Sequence, residues 1–149
     1  MSAAAAGTLA DEWALRRLVQ LYARAVDRND PELFVSLFVE DAVLEGPQFH
    51  VAGHEQIRLV PGDLVQKFRA TMHCVFNQTV NIAGDSADGE TYCIAYHRIE
   101  DEGGRPMTLD WAIRYQDRFL RRGGEWRIAY RRLVVEWTRT GPVELLENL

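Results

Sequence analysis

The chain has 149 residues, 47% of them hydrophobic and 26% charged, with a formal net charge of −5. That length suits one domain with a real core and is short for two, and the acidic surplus argues against a nucleic-acid surface, which needs clustered Lys and Arg to meet phosphates. No stretch approaches the roughly 18 consecutive apolar residues of a bilayer span, and Met1–Gly7 lacks the basic and long apolar regions of a signal peptide, so a cytoplasmic protein without membrane contact is expected.

Residues 1–9, rich in alanine, read as a disordered lead-in. From Ala10 to Arg28 the residues Leu15, Leu18, Tyr22, Ala25 and Val26 recur at helical spacing, the mark of an amphipathic helix. Asn29-Asp30-Pro31 stops it and starts another. Asp30 can cap, and Pro31 suits a first helical position because its missing donor would be unsatisfied there anyway. The second helix runs to about Phe38. Asp41 to Glu45 is a short strand candidate ended by Gly46-Pro47, and Gly53 to Arg69 is expected as helix broken at Pro61-Gly62.

After that the period changes from helical to alternating. Four strands are predicted at Thr71–Ile82, Glu90–Glu100, Pro106–Arg121 and Glu125–Arg139, joined by turns around Gly84-Asp85, Asp101–Arg105 and Gly123-Gly124. Helices first and a meander afterwards means an α+β domain over residues 10–140, with 141–149 as a C-terminal tail. The basic stretch Arg118–Arg132 reads as the solvated face of a hairpin. Cys74 and Cys93 lie in strands without metal-ligand spacing and read as reduced thiols, a disulfide being the lesser alternative.

Alternation assigns faces. Met107, Leu109, Trp111, Ile113, Tyr115 and Phe119 share one side of the third long strand. In the last strand Arg132 falls on the same parity as Trp126 and Ile128, so it is expected inward, where it needs a carboxylate, a pocket or an anion. His73 shares a face with Val75 and Asn77. His97 follows the small residues Cys93 and Ala95, which leave space for a pocket. Asp27, in the last turn of the first helix, meets the negative end of the helix dipole and would be eased by a cationic partner; it reads equally as an exposed aspartate before a turn. Tyr22, five residues earlier, points about 140° away on an ideal helix. His50 and His54 lack an obvious third ligand, and no metal site is expected. With no phosphate loop and no nucleophile elbow, the chemistry open to this chain is cofactor-independent proton transfer and polarisation.

The segments LYARAVDRNDPELFVSLFVEDAVLEG, ATMHCVFN and YQDRFLRRGGEWRIAYRRLVVEW together resemble the SnoaL-like branch of the nuclear transport factor 2-like superfamily, and within it scytalone dehydratase, bile-acid 7α-dehydratase and hexachlorocyclohexane dehydrochlorinase. The resemblance implies a cone-shaped roll, in which a curved, mainly antiparallel sheet packs against N-terminal helices around a central pocket. It also implies a catalytic pairing of Asp27 with His73, aided by Tyr22, with His97, Arg132, Trp111 and Asn77 as substrate-binding candidates. The isomerase aspartate of the superfamily has no counterpart in Leu44-Glu45-Gly46-Pro47. The expected function is a lyase, a dehydratase-like elimination on a small hydrophobic, polycyclic or aromatic molecule. A non-catalytic binding domain and a polyketide-cyclase-like enzyme are the alternatives. Because relatives pair through the exposed side of the sheet, a homodimer is expected.

Overall fold

The computed structural model describes residues 3–146. In chain order the elements are α1 (Ala3–Asp27), α2 (Pro31–Ser36), β1 (Phe38–Gly46), β2 (Phe49–Ala52), α3 (Gly53–Ile57), α4 (Val60–Lys67), β3 (Ala70–Ala83), β4 (Ser86–Glu100), β5 (Pro106–Arg122) and β6 (Glu125–Pro142). The helices pack on a six-stranded sheet of order β2-β1-β6-β5-β4-β3. All neighbours in it are antiparallel except β1 and β6, which run parallel. The expected α+β architecture with a curved, mainly antiparallel sheet is the one observed.

Several boundaries differ from expectation. Helix α1 starts at Ala3, so residues 3–9 are helical where a disordered lead-in was expected; Met1 and Ser2 lie outside the described residues. Pro61 does not break a helix. It sits in the first turn of α4, where no donor is needed, and the interruption falls earlier, at Arg58-Leu59. Strand β2 was not expected, because four residues pairing with β1 carry too little alternation to register. Strand β6 runs to Pro142, two residues beyond the expected end of the domain.

The stop after α1 follows from local chemistry. Asn29 adopts φ 49°, and the amides of Asn29 and Asp30 donate back to the carbonyls of Val26 and Ala25 at 3.1 and 2.9 Å. This is a Schellman closure with asparagine in the left-handed position. Asp30 then caps α2, its Oδ1 accepting from the Leu33 amide at 3.0 Å. Two consecutive closures fix the end of α1, and therefore fix Asp27. At the β5–β6 hairpin Gly123 and Gly124 take φ 61° and 81°, as a two-residue turn with both central angles positive requires.

The core lies between α1, α2 and the inner face of the sheet. Leu15, Val19, Tyr22 and Val26 of α1 meet Phe34 and Phe38, and Ile113, Tyr115, Phe119 and Ile128 from the strands. Asp11 ties α1 to the far hairpin, its Oδ1 accepting from Arg121 Nη1 at 2.7 Å and Trp126 Nε1 at 2.9 Å.

Three bulges alter the faces that alternation predicts. Val75 pairs with Cys93 but Gln78 with Thr91, an extra residue on β3. Arg118 pairs with Tyr130 but Phe119 with Ile128, and Ala112 with Trp137 but Ile113 with Val135, each an extra residue on β6. One inserted residue reverses the parity of everything after it.

Candidate active site

Asp27 and His73 meet. The last residue of α1 faces the start of β3, and Asp27 accepts three hydrogen bonds there. Its Oδ1 takes the His73 Nδ1–H at 2.7 Å and the Thr71 hydroxyl at 2.8 Å, and its Oδ2 takes the His73 backbone N–H at 2.8 Å. A carboxylate can only accept, so the ring proton is on Nδ1 and the Nε2 lone pair of the neutral ring is left for other work. Burial by itself raises the Asp27 carboxyl, but the bonds from His73, backed by Thr71, outweigh it and hold the group below its ordinary 3.8. The partner expected near Asp27 is thus His73, which supplies two of the three donors, with the Thr71 hydroxyl as the third. Thr71 was missed as a partner, although it shares parity with His73 two residues on.

The dyad opens on a cleft of about 510 Å³ running between the last two turns of α1 and β3, with Ala23, Asp27, His73 and Val75 on its walls. The His73 side chain is 7% exposed and that of Asp27 21%, so both are shielded yet reachable.

His97 lies behind His73, with ring centroids 6.0 Å apart, between Phe68 at 4.4 Å and Trp111 at 4.9 Å. Its Nδ1–H donates to the Leu109 carbonyl at 2.9 Å. Burial pushes its pKa down, only partly offset by that bond, so the ring is neutral at neutral pH and its Nε2 is an acceptor. His97 and Trp111 therefore stand where the strand pattern put them. Phe68, which completes the aromatic wall, follows α4 as the cap residue, a position with no periodic signal.

Two substrate-binding candidates are placed otherwise. Asn77 is exposed, because the bulge after Val75 brings Gln78 to the inner face, where its Nε2 donates to the Leu15 carbonyl at 3.4 Å. Arg132 is exposed too, because the bulge at Ala129 turns Arg131 inward in its place. The inward arginine exists, one residue earlier than expected.

Arg131 is fully buried and forms a bidentate pair with Asp117, Nε to Oδ1 at 2.8 Å and Nη2 to Oδ2 at 2.7 Å. Its guanidinium carbon sits 4.2 Å from the Tyr22 ring centre and 4.1 Å from that of Tyr115. Burial opposes the guanidinium charge, and Asp117 more than restores it, so Arg131 stays protonated. Asp117 shares parity with Tyr115 and Phe119, so its inward direction was present in the alternation. Tyr22 belongs to this core group and packs on Phe34 at 5.0 Å and Tyr115 at 5.5 Å; the side-chain bonds of Asp27 go to His73 and Thr71 instead. Burial pushes the Tyr22 phenol up to about 12, with Arg131 pulling the other way, so it keeps its proton. Burial likewise pushes the Cys93 thiol up to about 11, and both cysteines are free. His54 donates from Nε2 to the Phe38 carbonyl at 2.9 Å, a structural use.

The comparisons with known proteins agree with this architecture. A candidate scytalone dehydratase from Novosphingobium aromaticivorans is 26% identical, with 93% of this chain and 91% of that one covered and a TM-score of 0.77. A LinA-type hexachlorocyclohexane dehydrochlorinase from Novosphingobium barchaimii is 17% identical over 95% and 96% of the two chains, with a TM-score of 0.79. A protein of unknown function from Mycobacterium tuberculosis is 23% identical over 89% of this chain and 75% of that one, with a TM-score of 0.78. No curated protein matches the chain. The SnoaL-like domain model matches residues 7–132, and the chain belongs to that family.

Proposed function

We propose that the chain is a cofactor-independent lyase that eliminates water, or a comparable leaving group, from a small hydrophobic substrate. The observation that carries the reading is the 2.7 Å bond from His73 Nδ1–H to Asp27. Nε2 of His73 takes a proton from the carbon beside a carbonyl. The electrons of that C–H bond form the new double bond, the C–O bond to the leaving hydroxyl breaks, and the proton passes from Nε2 to the departing oxygen to give water. Asp27 holds the ring in the Nδ1–H tautomer and stabilises the imidazolium while it exists. His97, held between Trp111 and Phe68, backs the His73 ring, and Ala23 and Val75 give the cleft its apolar wall. Similarity to a candidate dehydratase and a dehydrochlorinase, both named for eliminations, supports the class.

A cyclase using the aspartate for proton transfer is less favoured, because three donors on Asp27 make it a weak base. The test is a screen of hydroxylated ketones and halogenated rings for absorbance of the new conjugated bond, followed by His73→Ala. Turnover falls by at least about 10²-fold, the ordinary contribution of a general base, while circular dichroism is unchanged. A His73→Ala variant with full activity overturns the mechanism. Long-range proton–nitrogen NMR adds a check without substrate: neutral His73 shows the Nδ1–H tautomer in the parent and a mixture in Asp27→Asn.

A further inference from the structure

The cleft beside the dyad has a charge pattern that the elimination chemistry does not use. Its helical wall is Gln20, Ala23, Arg24 and Asp27 of α1 with Arg28, the residue that follows it, the i, i+3, i+4, i+7, i+8 series that puts side chains on a single face. Arg24 and Arg28 are a turn apart, both exposed, and neither has an ion-pair partner among the described residues. The one carboxylate on this face, Asp27, spends its oxygens on His73 and Thr71. Two guanidinium groups without a counter-charge therefore flank the opening, while Ala23 and Val75 supply apolar surface to the same cleft.

We propose that the substrate carries an oxyanion, a carboxylate or a phosphate, which docks on Arg24 and Arg28 while its apolar body lies in the cleft against His73. This rests on the reading of the cleft as the lyase site and narrows its substrate class from hydrophobic molecules to amphipathic anions. Guanidinium groups suit the role because their forked donors match two oxygens of one anion. The volume of about 510 Å³ fits a body of one or two fused rings. Arginines near a helix C-terminus also complement the helix dipole, so the experiment must separate recognition from helix stability.

The whole protein is titrated with naphthalene carboxylate, naphthyl phosphate and the uncharged naphthalene carboxamide, at low and high salt, following the ring protons of His73 by NMR. Expected is about tenfold tighter binding of the better anion than of the carboxamide, a difference that shrinks with salt. In the double variant Arg24→Gln, Arg28→Gln the anion weakens to the level of the carboxamide, whose own affinity is unchanged. A preference for the carboxylate or for the phosphate supports the proposal either way and tells the two sources apart. Equal binding of charged and uncharged probes to the parent overturns it, as does an anion preference that survives the double variant, or binding that leaves His73 unmoved. A lower Tm in the variant with the preference intact assigns the arginines to the helix dipole alone. These readings need no turnover, so failure here is distinct from a failure of His73→Ala to stop catalysis.

Discussion

At the scale of single residues, Asp27 shows how one side chain serves folding and chemistry together. It joins α1 to β3 through three hydrogen bonds, and the same bonds orient His73. Because its folded pKa lies below the ordinary 3.8, its contribution to stability is complete above that value and is lost as pH falls through the lower, folded one. Asp27→Asn is therefore expected to be less stable than the parent at neutral pH by about 1.5–3 kcal/mol, the usual scale for hydrogen bonds to a charged group. The difference shrinks on acidification below 3.8. Urea unfolding across the acid range measures both; a constant difference at every pH would mean that Asp27 is not held ionised by these bonds. The pairing of Asp27 with His73 was implied by the resemblance to SnoaL-like enzymes; read locally, a carboxylate at a helix end is equally an exposed residue before a turn. The sequence did not show Thr71 as the third partner, because a hydroxyl on a strand has no signal of its own.

At the scale of elements, the bulges decide which side chains face the core. Strict alternation puts Arg132 and Asn77 inside, and the extra residue in β6 and in β3 puts them outside. A bulge is a choice between two nearly equal registers, made by how the inner face fits the helices above it, so it leaves little trace in the strand that carries it. Its consequence here is the buried pair of Arg131 and Asp117. Removing one partner strands a charge in the core, so Asp117→Asn should cost about 3–5 kcal/mol. Among the described residues Thr91 Oγ1 is also buried without a hydrogen-bond partner, a further cost beside this polar cluster. The double replacement Arg131→Met, Asp117→Leu is accordingly expected to be much less damaging than Asp117→Asn alone. Denaturant midpoints of the three proteins give the comparison, and a double variant as unstable as the single one would show that the pair is worth more than apolar packing.

At the scale of the whole molecule, the face of the sheet away from the helices is left with large apolar groups in water. Trp137 is 67% exposed and Met72 63%, with Phe76, Tyr92 and Tyr96 also exposed. Arg114 lies 5.1 Å above the Tyr92 ring. A surface of this kind is more than the scattered apolar residues of an ordinary exterior, and it supports the proposal that two copies pair through it. Trp137→Glu should shift the protein from dimer to monomer in sedimentation velocity and leave the far-ultraviolet spectrum unchanged; a parent that sediments as a monomer at all concentrations would refute the pairing. The α+β class, the chain order of helices before strands, the closure at Asn29-Asp30-Pro31 and the inward run of β5 are all determined by the sequence alone, because each depends on neighbours within a few residues. The extra strand β2, the parallel contact of β1 with β6 and the inward turn of Arg131 were decided only by the tertiary structure, and so was the contact of Asp27 with His73, which family resemblance implied but no local pattern contains. They depend on contacts between residues as much as 46 positions apart for the dyad and on inserted residues that shift parity, and local periodicity contains neither.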